Sequence, residues 1–485
     1  MDRIGKIMTP GAAASIYSPS PARIPVQMDL FETTLIQGES NTIPRSSLHN
    51  PIADEEYVMP SPAKLFDALR GGNPRGNTTV DNLYDSVALP AGAGSPRKWT
   101  ILFYLDGNNS LEPAQVKSLL DLEKVGSTKD INVVAQLFRA PQSLIEDEWK
   151  KAGFTYTPEN IDGDWNGARL YYVTRSPDSR TIRSRVLADF GTLNAADPSH
   201  LSQFLTWGIK NFPAQHYMVI LANHGGGFMG ALHDDQHKEV MKPPELKKAL
   251  EDVRRDTGAD IDILGFDACL MAQAEVAHQM KDQAKIMLAS EDQEGYTYVH
   301  WPLSETLEEL AGRSGNMGPY ELATRFVEGS KSRPLLTPSL SAFDLSKFDG
   351  LPRALDGFSK ALLETDTDPS VIRENIGATQ GFVLQGDRTP PFTDFRDLFD
   401  FASHIKNDPR VSDSQLKSRA DILIRQIKNC IIAEQHIGYG LDNAHGLSIY
   451  MPTDRESLES KKFKYDQTLL AKDTLWNEAL KKFAS

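Results

Sequence analysis

Only two cysteines, Cys269 and Cys430, stand in 485 residues. So few make no disulfide framework, and each is open to inspection as a reactive thiol. No apolar run reaches the length of a membrane span. The opening stretch, MDRIGKIMTPGAAASIYSPSPARIP, has no continuous apolar core of signal-peptide length. On that reading the chain is cytoplasmic, or it lacks a natural leader and the protein is secreted or periplasmic. A basic surplus is missing too: 66 acids against 52 bases give a net charge of −14. That is the opposite of a nucleic-acid footprint, and its field favours cationic ligands and basic peptides. Also missing is the G-x-S-x-G elbow that a serine hydrolase needs. Among glycine pairs spaced by four, the nearest approach is Gly377-Ala-Thr-Gln-Gly381, with Thr379 at its centre.

What is present begins with length and apolar content. The chain is long enough for one large or two medium domains, and 40% of it is hydrophobic, enough for a sizeable core. Residues 1–96 differ from the rest. They hold 11 of the 29 prolines and little helical or strand periodicity, so they read as an extended N-terminal extension or pro-segment. An inhibitory strand laid across the active-site edge is one expectation for them; a disordered stalk is the other.

From Trp99 the pattern changes. WTILFYLD (99–106), INVVAQLF (131–138), HYMVILAN (216–223), IDILGFDA (261–268) and AKIMLAS (284–290) are short, nearly continuous apolar runs. Strands buried on both faces read this way. Between them lie helical stripes, such as Leu246, Ala249, Leu250 and Val253. Alternation of this kind predicts an α/β fold: a mostly parallel sheet with helices on both faces. Residues 97–330 are expected to form the core. Residues 331–485 are expected to add a C-terminal α/β extension, with strands at LSAFDL (340–345) and HGLSIYMP (445–452) and a helix over 415–435. The stretch 140–195 reads as an insertion able to carry a hairpin.

In an open α/β sheet, sites form beyond the carboxyl ends of strands. Three ends stand out. WTILFYLD stops at Asp106, followed by GNN, where the carboxylate either orients a site group or only caps the turn. VILAN stops at His224, followed by Gly225, Gly226 and Gly227; IDILGFDA stops at Cys269. The 45 residues between them suit one loop, one helix and one strand, so the two side chains fall on one sheet edge. A histidine beside a thiol is a nucleophilic dyad. If the helix begins at once after Cys269, its N-terminus lowers the thiol pKa. Bare backbone at Gly225 and the N–H of Cys269 are candidate oxyanion donors. A lone cysteine is usually a small hydrophobe, and a histidine before glycines often ends a strand in a turn. Both at matching strand ends favour the dyad. Cys430 lies inside a helical apolar pattern and reads as core.

These residues resemble a known family. ANHGGGF and LGFDACLMAQAEV look like the histidine and cysteine motifs of the clostripain family of cysteine peptidases. TILFYLDGNNSLE, LASEDQEGY, SLSAFDLSKF, AHGLSIYMP and TLWNEAL agree, so the likeness covers about residues 97–485. It implies a caspase-like fold, related to caspases, legumain and gingipains, and an endopeptidase cutting after basic residues, arginine before lysine. By the same likeness His224 and Cys269 are catalytic, and Asp267 is the acid at the floor of the specificity pocket. Relatives commonly show Gly-Trp-x-Tyr where this chain reads EGYTYVHW, which predicts an altered pocket wall. Some relatives cut themselves between the two motifs; Lys238, the first basic residue past the histidine motif, is the position predicted for that.

Other signals are weaker. HDDQH (233–237) places two histidines four apart, without zinc spacing. No metal site or cofactor is required; calcium supports some relatives, but no EF-hand pattern is present. The expected partners are peptide or protein substrates with basic residues. Two alternatives remain: a non-catalytic caspase-like binding protein, and a serine-type esterase using HGGG as its oxyanion loop.

Overall fold

The computed structural model describes residues 83–484, except 142, 146–162, 164, 179, 296–300, 334–336, 383–393 and 438–439. The described residues all lie in one compact unit. The expectations for residues 1–82, and most of the EGYTYVHW departure, fall outside the described residues.

In chain order the strands are β1 (Arg97–Gly107), β2 (Ile131–Arg139), β3 (Gly167–Tyr172), β4 (Arg185–Gly191), β5 (Ala214–Ala222), β6 (Ala231–Asp234) and β7 (Glu239–Met241). Next come β8 (Ile261–Asp267), β9 (Ala284–Ala289), β10 (Ser339–Asp344), β11 (Gly381–Phe382), β12 (Phe395–Asp397), β13 (Ile431–His436) and β14 (Ser448–Tyr450). Nine of them form one sheet in the order β13-β10-β9-β8-β5-β1-β2-β3-β4. The five central strands, β9 to β2, run parallel. Antiparallel strands flank them on both sides. The hairpin expected in 140–195 is therefore β3–β4, an extension of the main sheet.

Alternate side chains of each central strand enter opposite cores. Leu102, Tyr104, Val219, Leu221, Leu264 and Phe266 pack under the helices Pro198–Asn211 and Pro243–Thr257. Ile101, Phe103, Leu105, Met218, Ile220 and Ile263 pack under Glu112–Glu123, Leu303–Gly312 and Pro319–Ser330. Burial on both sides is why the sequence shows unbroken apolar runs. No helix among the described residues is long and apolar enough to cross a membrane.

Two expectations need correction. The helix anticipated over 415–435 spans Ser414–Cys430, and Ile431–His436 turns into β13. The β-branched pair Ile431-Ile432 suits a pleated edge, and pairing with β10 decides the matter. The second concerns residues 83–96, which belong to the folded unit. Tyr84 is buried against Phe190, Phe204 and Trp207, and its hydroxyl donates to Gln136.

Candidate active site

Register brings the site together. Ala222 of β5 pairs with Asp267 of β8, and Leu105 of β1 pairs with Ala222. The chains continuing from these three ends carry Asp106 to Ser110, Asn223-His224 and Ala268-Cys269. His224 and Cys269 line one small cleft with Leu111, Asn223, Ala268, Glu294 and Gly295.

Each arm of the cleft is anchored by its own hydrogen bonds. Asn223 donates its main-chain N–H to Asp267 O (3.2 Å) and accepts from His233 N–H at Oδ1 (2.7 Å). Its Nδ2 donates to Asp106 O. The Asp106 carboxylate accepts from Asn108 N–H (3.0 Å), so it closes the turn at the end of β1. Asn108 Nδ2 reaches Asp234 Oδ2 at 2.7 Å, which ties that turn to the loop after His224. Ser110 Oγ then lies 3.2 Å from His224 Nε2.

The glycines have mechanical roles beyond those anticipated. A Cβ on Gly225 would come within 2.3 Å of Cys269 O, so only glycine lets the two strand-end loops touch. Gly227 has φ +60°, and a Cβ there would meet Gln273 Oε1 at 2.5 Å. Gly226 N–H is committed to Gly230 O (2.9 Å), which leaves Gly225 as that loop's candidate oxyanion donor.

The anticipated activation of Cys269 by a helix N-terminus is not what the structure shows. Cys269 sits in a turn, Leu270 adopts a left-handed φ of +64°, and the helix starts only at Ala274. Without a helix terminus at the sulfur, burial dominates. It pushes the thiol up to about 12, and the nearby Glu294 carboxyl adds to the shift. Among the described residues the sulfur's partners are main-chain groups of Glu294: its N–H donates to Sγ at 3.3 Å, and its carbonyl lies 3.9 Å away.

Glu294, which the sequence did not single out, is the centre of this pocket. Its carboxyl is buried and faces the buried carboxyl of Asp267. Burial, then the charge of Asp267, raises Glu294 well above the usual carboxylate range. Trp301 Nε1 donates to Glu294 Oε1 at 2.8 Å. That indole packs so closely on β8 that a Cβ at Gly265 would come within 3.0 Å of its ring.

Lys238 lies far from an extended substrate geometry. It occupies the exposed turn between β6 and β7 with φ +58°, and that bond would have to leave the hairpin before entering a cleft. In the HDDQH stretch, His237 Nδ1 is 3.0 Å from Asp234 Oδ2, and burial lowers His233 to about 4. No cluster of three His, Cys, Asp or Glu side chains able to hold a metal occurs among the described residues. Thr379, the nearest substitute for a serine nucleophile, caps the end of the helix Pro369–Ala378 and donates to Asn375 O at 2.7 Å. It stands at no strand–turn–helix elbow, and the esterase reading loses its last support.

The comparisons with known proteins bear on the family and the fold. The profile described as the clostripain family matches residues 104–483. Clostripain of Hathewaya histolytica is 22% identical over 449 residues, covering 78% of this chain and 80% of that protein. An inactive zymogen C11 protease from Parabacteroides distasonis superposes with a TM-score of 0.56 at 18% identity, over 80% of this chain and 99% of that one. A secreted C11 cysteine protease from Bacteroides thetaiotaomicron, bound to an irreversible peptide inhibitor, gives 0.55 at 18%, over 79% and 99%. The molecule is thus a cysteine-type peptidase of caspase-like fold. Within that class, the chain belongs to the clostripain family.

Proposed function

We propose that the protein hydrolyses peptide bonds after basic residues, arginine before lysine, with Cys269 as nucleophile and His224 as its acid–base partner. The observation that carries this reading is the buried acidic pair, Asp267 and Glu294, set against the thiol at the cleft shared with His224. Two carboxyls out of water are costly without a cation. A guanidinium supplies one, with paired charge-assisted hydrogen bonds that an ammonium cannot match.

The same pair explains how a thiol at rest becomes reactive. Burial, with the Glu294 carboxyl beside it, holds the proton on sulfur. An arriving cation favours the thiolate, which lowers the thiol pKa in the bound complex. Sγ then attacks the scissile carbonyl carbon while its proton passes to His224. The N–H groups of Gly225 and Cys269 hold the oxyanion. His224 returns the proton to the leaving amine, the C–N bond breaks, and a thioester remains. Water attacks the thioester carbon, gives its proton to His224, and the carboxylic acid leaves as the thiol re-forms.

The test is kcat/KM for matched peptides ending in Arg, Lys, Asp or Leu, on wild type and Asp267→Asn. Wild type is expected to prefer Arg, then Lys. The variant should lose about 1.5–3 kcal/mol toward the basic peptides, the worth of a hydrogen bond to a charged group. Preference of the wild type for Asp or Leu peptides would refute the pocket assignment.

A further inference from the structure

The side chain of Gln273 has no role in the chemistry described so far. It is buried in the link between the turn at Cys269 and the helix Ala274–Met280. Its Oε1 accepts from Phe228 N–H at 2.7 Å, across 45 residues of chain. Phe228 lies in the turn Gly227–Met229 of the glycine loop that follows His224. We propose that Gln273 is a positioning residue for that loop: its carbonyl oxygen fixes the peptide planes from Gly225 to Phe228 and so holds the Gly225 N–H where the oxyanion forms. The proposal rests on the peptidase reading above.

Little within the loop ties it to its surroundings. Three successive glycines lack the side chains that restrict a backbone. The internal bonds, Gly226 N–H to Gly230 O (2.9 Å) and Met229 N–H to Gly226 O (3.1 Å), shape the turn without anchoring it. Two outside contacts do that. Gly225 packs on the catalytic turn: a Cβ there would stand 2.3 Å from Cys269 O and 3.1 Å from Ala268 Cβ. Gly227 lies on the Gln273 amide, which a Cβ would meet at 2.5 Å, and Phe228 donates to that same amide. Both contacts come from residues 268–273, the stretch that also carries the nucleophile. One link therefore sets the thiol and the glycine loop relative to each other.

Residues past 330 hold the link in turn. Ser448 of β14 donates to Ala272 O from its N–H (2.9 Å) and from Oγ (3.1 Å), and Gln273 pairs with Ser448 in a parallel bridge. Ala272 N–H donates to Ser290 O at 2.8 Å. The Phe228 ring is buried edge-on against Tyr450, Tyr465 and Phe395, at 5.0, 5.2 and 5.9 Å between centres. The Gln273 oxygen is thus a fixed acceptor for a loop with little stiffness of its own. An oxyanion donor must be aimed before charge develops, since a donor that reorients during the reaction loses most of its worth. Loss of the acceptor frees the Phe228 N–H and the peptide planes before it, and leaves the thiol and the acid pair where they are.

The experiment compares wild type, Gln273→Met, Gln273→Glu and Gly227→Ala in full-length protein. Methionine matches the side chain's length without an acceptor; a buried, protonated glutamic acid keeps one. Deuterium exchange of the loop peptide, read by mass spectrometry, reports its order without reference to activity. Measured in parallel are kcat and KM for an arginine peptide, the Ki of the matching arginine aldehyde, and alkylation of Cys269 by iodoacetamide. The aldehyde adds to Sγ as a hemithioacetal, whose oxygen takes the oxyanion position; iodoacetamide makes no oxyanion. Gln273→Met should speed exchange at Phe228 about 10-fold or more. It should cut kcat about 10- to 100-fold and weaken the aldehyde by a like factor, with KM and the alkylation rate within about twofold. Gly227→Ala drives a Cβ into Oε1 and should show the same pattern, so the test stands if Gln273→Met does not fold. Gln273→Glu should recover most of kcat. Unchanged exchange overturns the proposal, as does a loosened loop with kcat and aldehyde affinity unmoved. A loss spread equally over kcat, KM and alkylation overturns it too, since Gln273 would then support only the fold. Absence of Cys269-dependent hydrolysis in the wild type would refute the peptidase reading; such hydrolysis, indifferent to Gln273→Met, refutes this proposal alone.

Discussion

At the scale of single residues, the legible and illegible parts of the site divide along a physical line. His224 and Cys269 were readable because each terminates an apolar run, and runs of parallel strands end on one edge. The electrostatics of Cys269 were not. Leu270, Ala274 and Ala277 fall at helical spacing, yet residues 270–273 form a separate link tied by Leu270 N–H to Asp292 O (3.2 Å) and Ala272 N–H to Ser290 O (2.8 Å). Those are bonds to a segment some twenty residues away, which no local pattern encodes. Glu294 was missed for the same reason: it lies after a strand, and only tertiary register brings it to the thiol. With the thiol held at about 12, alkylation of the free enzyme by iodoacetamide should be slow at neutral pH. The rate at Cys269 should fall roughly 10³-fold below that of an ordinary exposed thiol and still climb at pH 10, since the thiolate is the nucleophile. A plateau already reached by pH 8, read by mass mapping of Cys269, would contradict the buried-thiol account.

Among the elements, the central strands were legible because burial on both faces writes itself into composition. The ends of elements were less so. Cys430 is buried at the close of its helix, its thiol 3.4 Å from Lys347 O, and the chain turns there into β13 because Ser339–Phe343 of β10 offers it a partner. The boundary near residue 96 was drawn from proline content, which is blind to a single aromatic anchor. Tyr84 fills a pocket between the helix Pro198–Asn211 and the sheet, in contact with Phe204, Trp207 and Phe190. Tyr84→Ala should cost about 3–5 kcal/mol, the usual loss for a large buried aromatic, measured as a lower midpoint in urea. A change under about 0.5 kcal/mol would mean that residues 83–96 are only draped on the core.

For the whole molecule, the sheet continues past residue 330: β10 and β13 complete its edge, and the smaller sheet of β11, β12 and β14 docks on the helix that follows Cys269. That docking buries carboxyls. Glu275 accepts from Tyr450 N–H at 3.1 Å, and burial raises it from 4.5 to about 7. Glu291 and Asp397 face each other under Gly446 and His445 N–H, and burial raises both. A carboxyl raised by folding is bound more tightly to its proton in the native state. Its contribution is therefore complete below the unfolded value near 4.5 and is lost as pH climbs through 7. Carboxylates shifted the other way, such as Asp408 beside Arg410, matter only in acid. Unfolding free energy should fall by at least about 2 kcal/mol between pH 6 and pH 9, and Glu275→Gln should flatten part of that slope; a stability that rises over this range would contradict the sign. All of this scaffolding serves one claim, that Cys269 is the nucleophile at an acid-lined pocket. The most direct measurement of it is covalent capture: the protein is incubated with an arginyl acyloxymethyl ketone and, separately, its leucyl counterpart, and the adduct is mapped by mass spectrometry. The account predicts one adduct, on Cys269, formed faster with the arginyl reagent and absent from Cys269→Ala. An adduct on Cys430, equal rates for the two reagents, or no adduct on active wild-type protein would contradict it.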